Sequence, residues 1–301
     1  MDSSSLSMQG KSAVVTGATA GIGLASTVAL ARAGALVIGV GRSPQRCAQA
    51  EAQIQHSVPG ARVRYLVAEL SLQREVRRLA EDIRGVLDEE GFTHLDALVN
   101  NAGTFSARLD RSDEGIYRAL AVNHLAGFLL TNLLLPSLRA APFGRVVTVS
   151  SASHYRAIFN PKRLNQSLFY NGLWAYKITK LMNVLFTYEL NRRESGTSLR
   201  AFAVDPGLIN TEIGLKDRSW VSRLVWDLRR RGGRPPEVPA QTVLYLCAEE
   251  GLQSATEVYW RDLAPKTPSR AARQPGLARD LWQASADLCG LDEINAKKEE
   301  R

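Results

Sequence analysis

Apolar residues fall along this chain in two alternating rhythms. Short blocks at 12–16, 36–40, 63–68, 97–100, 145–150 and 200–204 are rich in Val, Leu and Ala, as strands buried in a sheet are. Between them, the segments 22–33, 44–56, 72–88, 115–137 and 173–191 space apolar residues three and four apart, the pattern of a helix with one buried face. Strand and helix in turn predict an α/β chain: a doubly wound parallel sheet flanked by helices on both faces, in a single domain. Gly34 follows the first helix, where a residue tolerant of positive φ ends it. After Pro206 the rhythm loosens. A helix at 240–248, a short strand at 257–260 and a last helix at 278–288 are predicted there. The expected boundaries are a tail at 1–10, one domain at 11–290 carrying an insertion at about 208–239, and a charged tail at 291–301.

Composition narrows the setting. The most apolar stretch, 119–138, is interrupted by Asn123, His124, Thr131, Asn132 and Pro136; it reads as a buried helix, since a membrane span needs about 20 mostly apolar residues. Residues 1–9 are serine-rich and lack a signal peptide's apolar block. Cys47, Cys247 and Cys289 lie far apart without metal-ligand spacing, which fits a reducing, cytoplasmic setting. The four histidines also lack ligand spacing, so no metal is expected. The net charge of +8 attracts anions of several kinds. Arg74, Arg77, Arg78 and Arg84, however, alternate with Glu75, Glu81 and Asp82, a solvated helix face and not a nucleic-acid patch.

The turn between the first strand and first helix carries Gly17, Thr19, Gly21, Ile22 and Gly23 in a Gly-x-x-x-Gly-x-Gly spacing. Glycines there let backbone approach a pyrophosphate, and the helix N-terminus offers unpaired N–H groups. Glycines serve plain turns as well; the position between this strand and this helix favours a dinucleotide. A carboxylate at the end of the second strand would hold a ribose 2′-hydroxyl and repel a 2′-phosphate. This chain has Val40-Gly41-Arg42-Ser43 instead, and Arg42 suits the extra phosphate of NADP(H) over NAD(H).

Tyr176 and Lys180 stand four residues apart on one helical face. A tyrosine ordinarily titrates near 10, and an ammonium beside it favours the phenolate. A Tyr-x-x-x-Lys pair alone is common. In the same chain, however, stand Asn100-Asn101-Ala102-Gly103, Asn123, Ser150-Ser151 and Pro206-Gly207, in order and well spaced.

Together these motifs resemble the short-chain dehydrogenase/reductase family from about residue 11 to 260. The resemblance implies a Rossmann-type fold and an NADP(H)-dependent interconversion of an alcohol and a carbonyl, with a small-molecule substrate. It assigns Tyr176 as proton donor and acceptor, Lys180 to the nicotinamide ribose and to Tyr176, and Ser151 to the substrate oxygen. Asn123 would order a helix bend and a water. Asn101, Ala102 and Gly103 would line the ribose region, and Pro206, Gly207, Ile209 and Thr211 would meet the nicotinamide amide. Glu69 and Leu70 fall where the family has an aspartate near the adenine.

The 25 residues from Ser151 to Tyr176 are about twice the usual interval. That long loop, with Asn123-His124-Leu125 and Leu281-Trp282, resembles the retinol dehydrogenase and dehydrogenase/reductase member 13 branch, which points to a lipophilic, retinoid-like substrate. His154 follows Ser151 and is expected as a polar wall of the substrate pocket. The stretch 218–231, with Trp220 and Trp226 among arginines, suits a lid, a peripheral contact with an intracellular membrane, or plain packing. Many relatives form homodimers through the helices at 115–137 and 173–191. The rival reading is a non-catalytic protein that uses this fold to bind a cofactor or partner.

Overall fold

In the computed structural model, residues 6–166, 171–209 and 233–291 are described. Strand and helix alternate as β1 (Ser12–Thr16), α1 (Gly21–Arg32), β2 (Leu36–Gly41), α2 (Pro44–Ser57), β3 (Val63–Val67), α3 (Gln73–Glu89), β4 (Ala97–Asn100) and α4 (Arg118–Ala140). They continue as β5 (Arg145–Val149), α5 (Gly172–Arg193), β6 (Arg200–Val204), α6 (Glu237–Ala248), β7 (Tyr259–Arg261), β8 (Ala264–Pro265) and α7 (Pro275–Cys289). The sheet runs β3-β2-β1-β4-β5-β6-β7-β8, parallel throughout except for the antiparallel β7–β8 pair. This is the expected Rossmann-type sheet. Its order reverses between β1 and β4, the point at which such sheets open a crevice beyond the strand ends.

Burial follows the period of two that a strand imposes. Val14, Leu98, Val146 and Ala201 point into the layer built with α3, α4, α5 and α7. Their neighbours Val15, Val99, Val147 and Phe202 point into the layer with α1 and α6. Both faces are covered, so the strands read as continuous apolar runs. The window that makes α4 apolar enough to cross a membrane is 72% buried within the protein, as the sequence reading of 119–138 expected.

Three features depart from the sequence reading. The expected N-terminal tail is anchored: Met8 is wholly buried and its N–H donates to Ala33 O at 2.8 Å. Helix α6 begins at Glu237, three residues before the expected start, because Pro239 falls in its first turn, where no intrahelical N–H is needed. The β7–β8 hairpin turns on Asp262 and Leu263, both at positive φ. Nothing in the sequence there signals a tight turn, which Asn-Gly or Asp-Gly would have done. Separately, a π-helical turn at Ala121–Leu125 interrupts α4 around Asn123, the residue to which the resemblance gave a helix bend.

Helix α7 lies on α4 and α5, part of the face expected to form a dimer. Trp282 stacks on Phe186 (5.9 Å between centroids, 19°) and meets Phe128 edge-on (5.0 Å, 74°). Buried His124 and Ser285 join Nε2 to Oγ at 2.9 Å. Burial pushes the His124 imidazole down to about 4, so it is a neutral structural group. Changing Ser285 to Ala leaves a buried nitrogen without its partner and should cost about 1–3 kcal/mol. Thermal unfolding reads this as a Tm lower by about 2–4 °C per kcal/mol; an unchanged Tm would show that the bond contributes nothing.

Candidate functional site

The glycine turn is shaped by two separate demands. Gly17 and Gly21 adopt φ of +66° and +54°, which residues with a side chain resist. Gly23 meets a packing limit instead: a Cβ there would stand 2.2 Å from Gly17 O. Behind the turn, Asn101 Nδ2 donates to Thr16 O (2.8 Å) and Gly17 O (3.3 Å), while Thr16 Oγ1 accepts from the N–H groups of Asn101 (3.0 Å) and Ala102 (3.1 Å). The end of β4 thereby braces the turn from below. From the other side, Tyr65 Oη donates to Ala18 O at 2.8 Å. Helix α1 has neither a side-chain cap nor an acidic residue in its first turn, so its N–H groups stay open to an anion. The residues present fit a dinucleotide.

Arg42 follows the last residue of β2 and is exposed. Ser43 caps α2 by accepting the Arg46 N–H, and that first turn also lacks an acid. Thr19 packs below, its methyl 2.5 Å from where a Gly41 Cβ would be. Ile22 is buried. Beyond β3, the Glu69 carboxylate folds back to accept the Ser71 N–H at 3.0 Å, and Leu70 is half-buried beside it.

The π turn in α4 has a visible cause. Asn123, buried within it, accepts the Thr104 N–H (2.7 Å) and donates to Thr104 O (3.0 Å) and Thr179 Oγ1 (3.1 Å). The wider turn lets one side chain join α4, α5 and the loop after β4. A Cβ on Gly103 would lie 3.7 Å from Asn123 Oδ1 and 3.8 Å from Lys180 Nζ, so these groups converge at one place.

Lys180 is 4% exposed, its Nζ donating to Val149 O at 2.9 Å and lying 5.5 Å from the Tyr176 ring centroid. Burial lowers its pKa to about 8 from 10.5. The charged form is thus disfavoured in the folded state. That cost is present in full below pH 8 and is relieved as pH rises from there through 10.5, above which folded and unfolded forms are both neutral. Between pH 7 and 10.5 the wild-type protein should gain about 3 kcal/mol relative to Lys180→Met. Urea unfolding of both proteins at the two pH values measures the gap; a gap independent of pH would refute the buried charge.

Ser150 and Ser151 part company. Ser150 is buried and its Oγ donates to Lys180 O at 2.8 Å. Half-buried Ser151 accepts on Oγ from Ser153 N–H (3.2 Å) and Ser153 Oγ (2.9 Å), which leaves its own proton to give. Tyr176 is half-buried, edge-on to Phe105 at 6.4 Å.

His154 requires a correction. It is wholly buried, Nε2 accepts the Ser269 N–H at 3.1 Å, and Nδ1 donates to Ser151 O at 2.8 Å. Both ring nitrogens are used and burial lowers its pKa, so it braces the loop instead of lining a substrate pocket. Pro206 and Gly207, the latter at φ +76°, form the turn after β6. Ile209 forms an isolated bridge with Arg234. Thr211 and the 218–231 segment lie outside the described residues.

One charged residue at this end of the sheet escaped the sequence reading. Asp205 directly follows β6, beneath these loops, with its side chain fully buried against Lys266 at 2.7 Å. Its partner comes from 61 positions away, and no local pattern announces that.

Comparison with known proteins identifies the family and the fold. Residues 11–222 match the family model described as short chain dehydrogenase. Human retinol dehydrogenase 11 is 35% identical over 288 residues, covering 96% of this chain and 88% of that protein. Human dehydrogenase/reductase SDR family member 13 is 36% identical over 287 residues, covering 94% and 74%. Among solved structures, an uncharacterized protein from Mycobacterium paratuberculosis superposes with a TM-score of 0.73 at 29% identity, covering 96% of this chain and 97% of that one. The angucycline C-6 ketoreductase LanV with bound NADP gives 0.67 at 26%, covering 85% and 95%.

Proposed function

Since the chain belongs to the short-chain dehydrogenase/reductase family and is an oxidoreductase, we propose that it uses NADP(H) to interconvert an alcohol and an aldehyde or ketone on a lipophilic, retinoid-like substrate. The observation that carries this reading is the placement of Tyr176 one helical turn from the buried Lys180 ammonium, on a helix tied through Lys180 to Val149 and Ser150, the residues just before Ser151.

The glycine turn with Arg42 would hold the nucleotide's phosphates, Asn101 to Gly103 its ribose region, and Pro206-Gly207 its amide end. When bound, the nicotinamide supplies hydride to a carbonyl carbon or takes it back. In reduction, Tyr176 Oη donates its proton to the carbonyl oxygen, and Ser151 Oγ donates a hydrogen bond to the same atom. Donors placed in advance where charge develops contribute most in a water-poor site. The Lys180 ammonium stabilises the phenolate that remains. Asn123 holds α5 against the loop after β4, and so holds Lys180 in place.

Exposed apolar side chains stand on the segments that carry these groups. Ile158 lies in the loop after Ser151, Leu173 and Trp174 open α5, and Leu208 follows Gly207. Such a rim favours an apolar substrate, in keeping with relatives that are named retinol dehydrogenases. An NADPH-oxidation screen over aliphatic, aromatic, steroid and isoprenoid carbonyls tests the reading, with NADH alongside and Tyr176→Phe as the blank. Turnover of an apolar carbonyl above that blank is expected. Cofactor binding without turnover of any carbonyl would instead support a non-catalytic protein of this fold.

A further inference from the structure

The side chains facing this crevice stand mostly on loops beyond strand ends, and loops keep a common register only where something ties them together. Asp205 touches two of these loops at once. Its Oδ1 accepts the N–H of Ala152 (3.2 Å), the residue after Ser151, and the N–H of Gly207 (3.1 Å), in the turn after β6. Its Oδ2 receives Lys266 Nζ at 2.7 Å, with Arg261 Nη1 at 3.9 Å. The carboxylate side chain is fully buried.

We propose that Asp205 is a positioning residue: its carboxylate clamps the loop bearing Ser151 to the Pro206-Gly207 turn, with Lys266 as counter-charge, and so sets the substrate-oxygen donor in register with the nicotinamide seat. This rests on the reductase reading of the same site. The chemistry favours an anion here. An ionised carboxylate only accepts hydrogen bonds, and the groups around it can all donate: two backbone N–H groups, an ammonium, a guanidinium and the Tyr259 hydroxyl. An amide at 205 would turn a donor toward Lys266 unless that charge were also removed.

The counter-charge is itself held in place. Lys266 Nζ lies 5.4 Å from the Tyr155 ring and 6.0 Å from that of Tyr259, and the Lys266 N–H donates to Tyr259 O at 2.7 Å. On its other side the Ser151 loop is gripped by His154, through Ser151 O and the Ser269 N–H. Ser151 is thus bounded by a carboxylate on one flank and an imidazole on the other. A buried charge is costly for plain packing. Its effect here is to place two loops whose misplacement by about 1 Å can lower a rate by about 10²-fold.

The test combines amide hydrogen exchange on the cofactor-free protein with steady-state kinetics on folded enzyme. In Asp205→Ala, the amides of Ala152 and Gly207 should lose protection together, by about 10–100-fold. Its kcat should fall by about 10–100-fold with KM for the carbonyl changed far less. In the double variant Asp205→Asn with Lys266→Met, the Asn oxygen still accepts both N–H groups and its amide meets no ammonium, with the Arg261 guanidinium standing farther off at 3.9 Å. Protection and kcat should return to within about threefold of wild type, a readout that remains should Asp205→Ala fail to fold. Wild-type protection of both amides in Asp205→Ala, an unaltered kcat, or no rescue in the double variant would overturn the proposal. A wild-type protein that turns over no carbonyl defeats the reductase reading instead, while joint loss and rescue of the two amides still decides the clamp.

Discussion

Tyr176→Phe should lower kcat for carbonyl reduction by about 10²–10⁴-fold, the usual contribution of a positioned proton donor. The change removes one hydroxyl and leaves the ring, so its packing against Phe105 at 6.4 Å and its contact with the Lys180 ammonium at 5.5 Å persist. Thermal stability and nucleotide affinity, read by unfolding and by nicotinamide fluorescence, should therefore stay close to wild type. A loss in kcat with unchanged binding places the deficit in the chemical step. Unchanged kcat would mean that another group delivers the proton, and the reading of the Tyr176–Lys180 pair would fail.

Arg42→Glu should reverse the cofactor preference, lowering the ratio of kcat/KM with NADPH to that with NADH by about 10²-fold. Arg42 stands just beyond the tip of β2. Its loss removes charge-assisted hydrogen bonds to a 2′-phosphate, and the introduced carboxylate repels that phosphate while offering an acceptor to a 2′-hydroxyl. Because Arg42 is exposed, salt should screen the effect, and the ratio should recover partly between low and physiological ionic strength. Steady-state kinetics with both cofactors at two salt concentrations measures it. A ratio indifferent to the substitution would remove Arg42 from the cofactor site.

Groups that act through their neighbours in sequence were legible before any coordinates. Strands β1, β2, β4, β5 and β6 appear where the apolar blocks stand, because a strand buried on both faces has to be apolar along its length, whereas the edge strand β3 leaves Arg64 and Val67 exposed. The glycine turn was legible because its requirement is conformational and local: Gly17 and Gly21 take positive φ, and Gly23 lies against the turn. Tyr176 and Lys180 share a helix face through the helical repeat alone. His154 failed this logic. Its position beside Ser151 suggested a pocket wall, but the Ser269 N–H, 115 positions away, takes its second nitrogen inward. Met8 failed likewise, since only the approach of Ala33 makes a short segment before β1 part of the core.

By itself the sequence determined the α/β alternation, the family, the glycine turn and the helical pairing of Tyr176 with Lys180, because each follows from repeat, backbone preference or spacing within a few residues. Tertiary structure alone decided that Ser150 spends its proton on Lys180 O and that α7 covers part of the α4–α5 face. It also decided that Asp205 meets Lys266 beneath two loops. Those outcomes depend on partners tens of residues distant, and a hydrogen bond or a buried ion pair is set by where the folded chain brings its donors and acceptors, which no local pattern encodes.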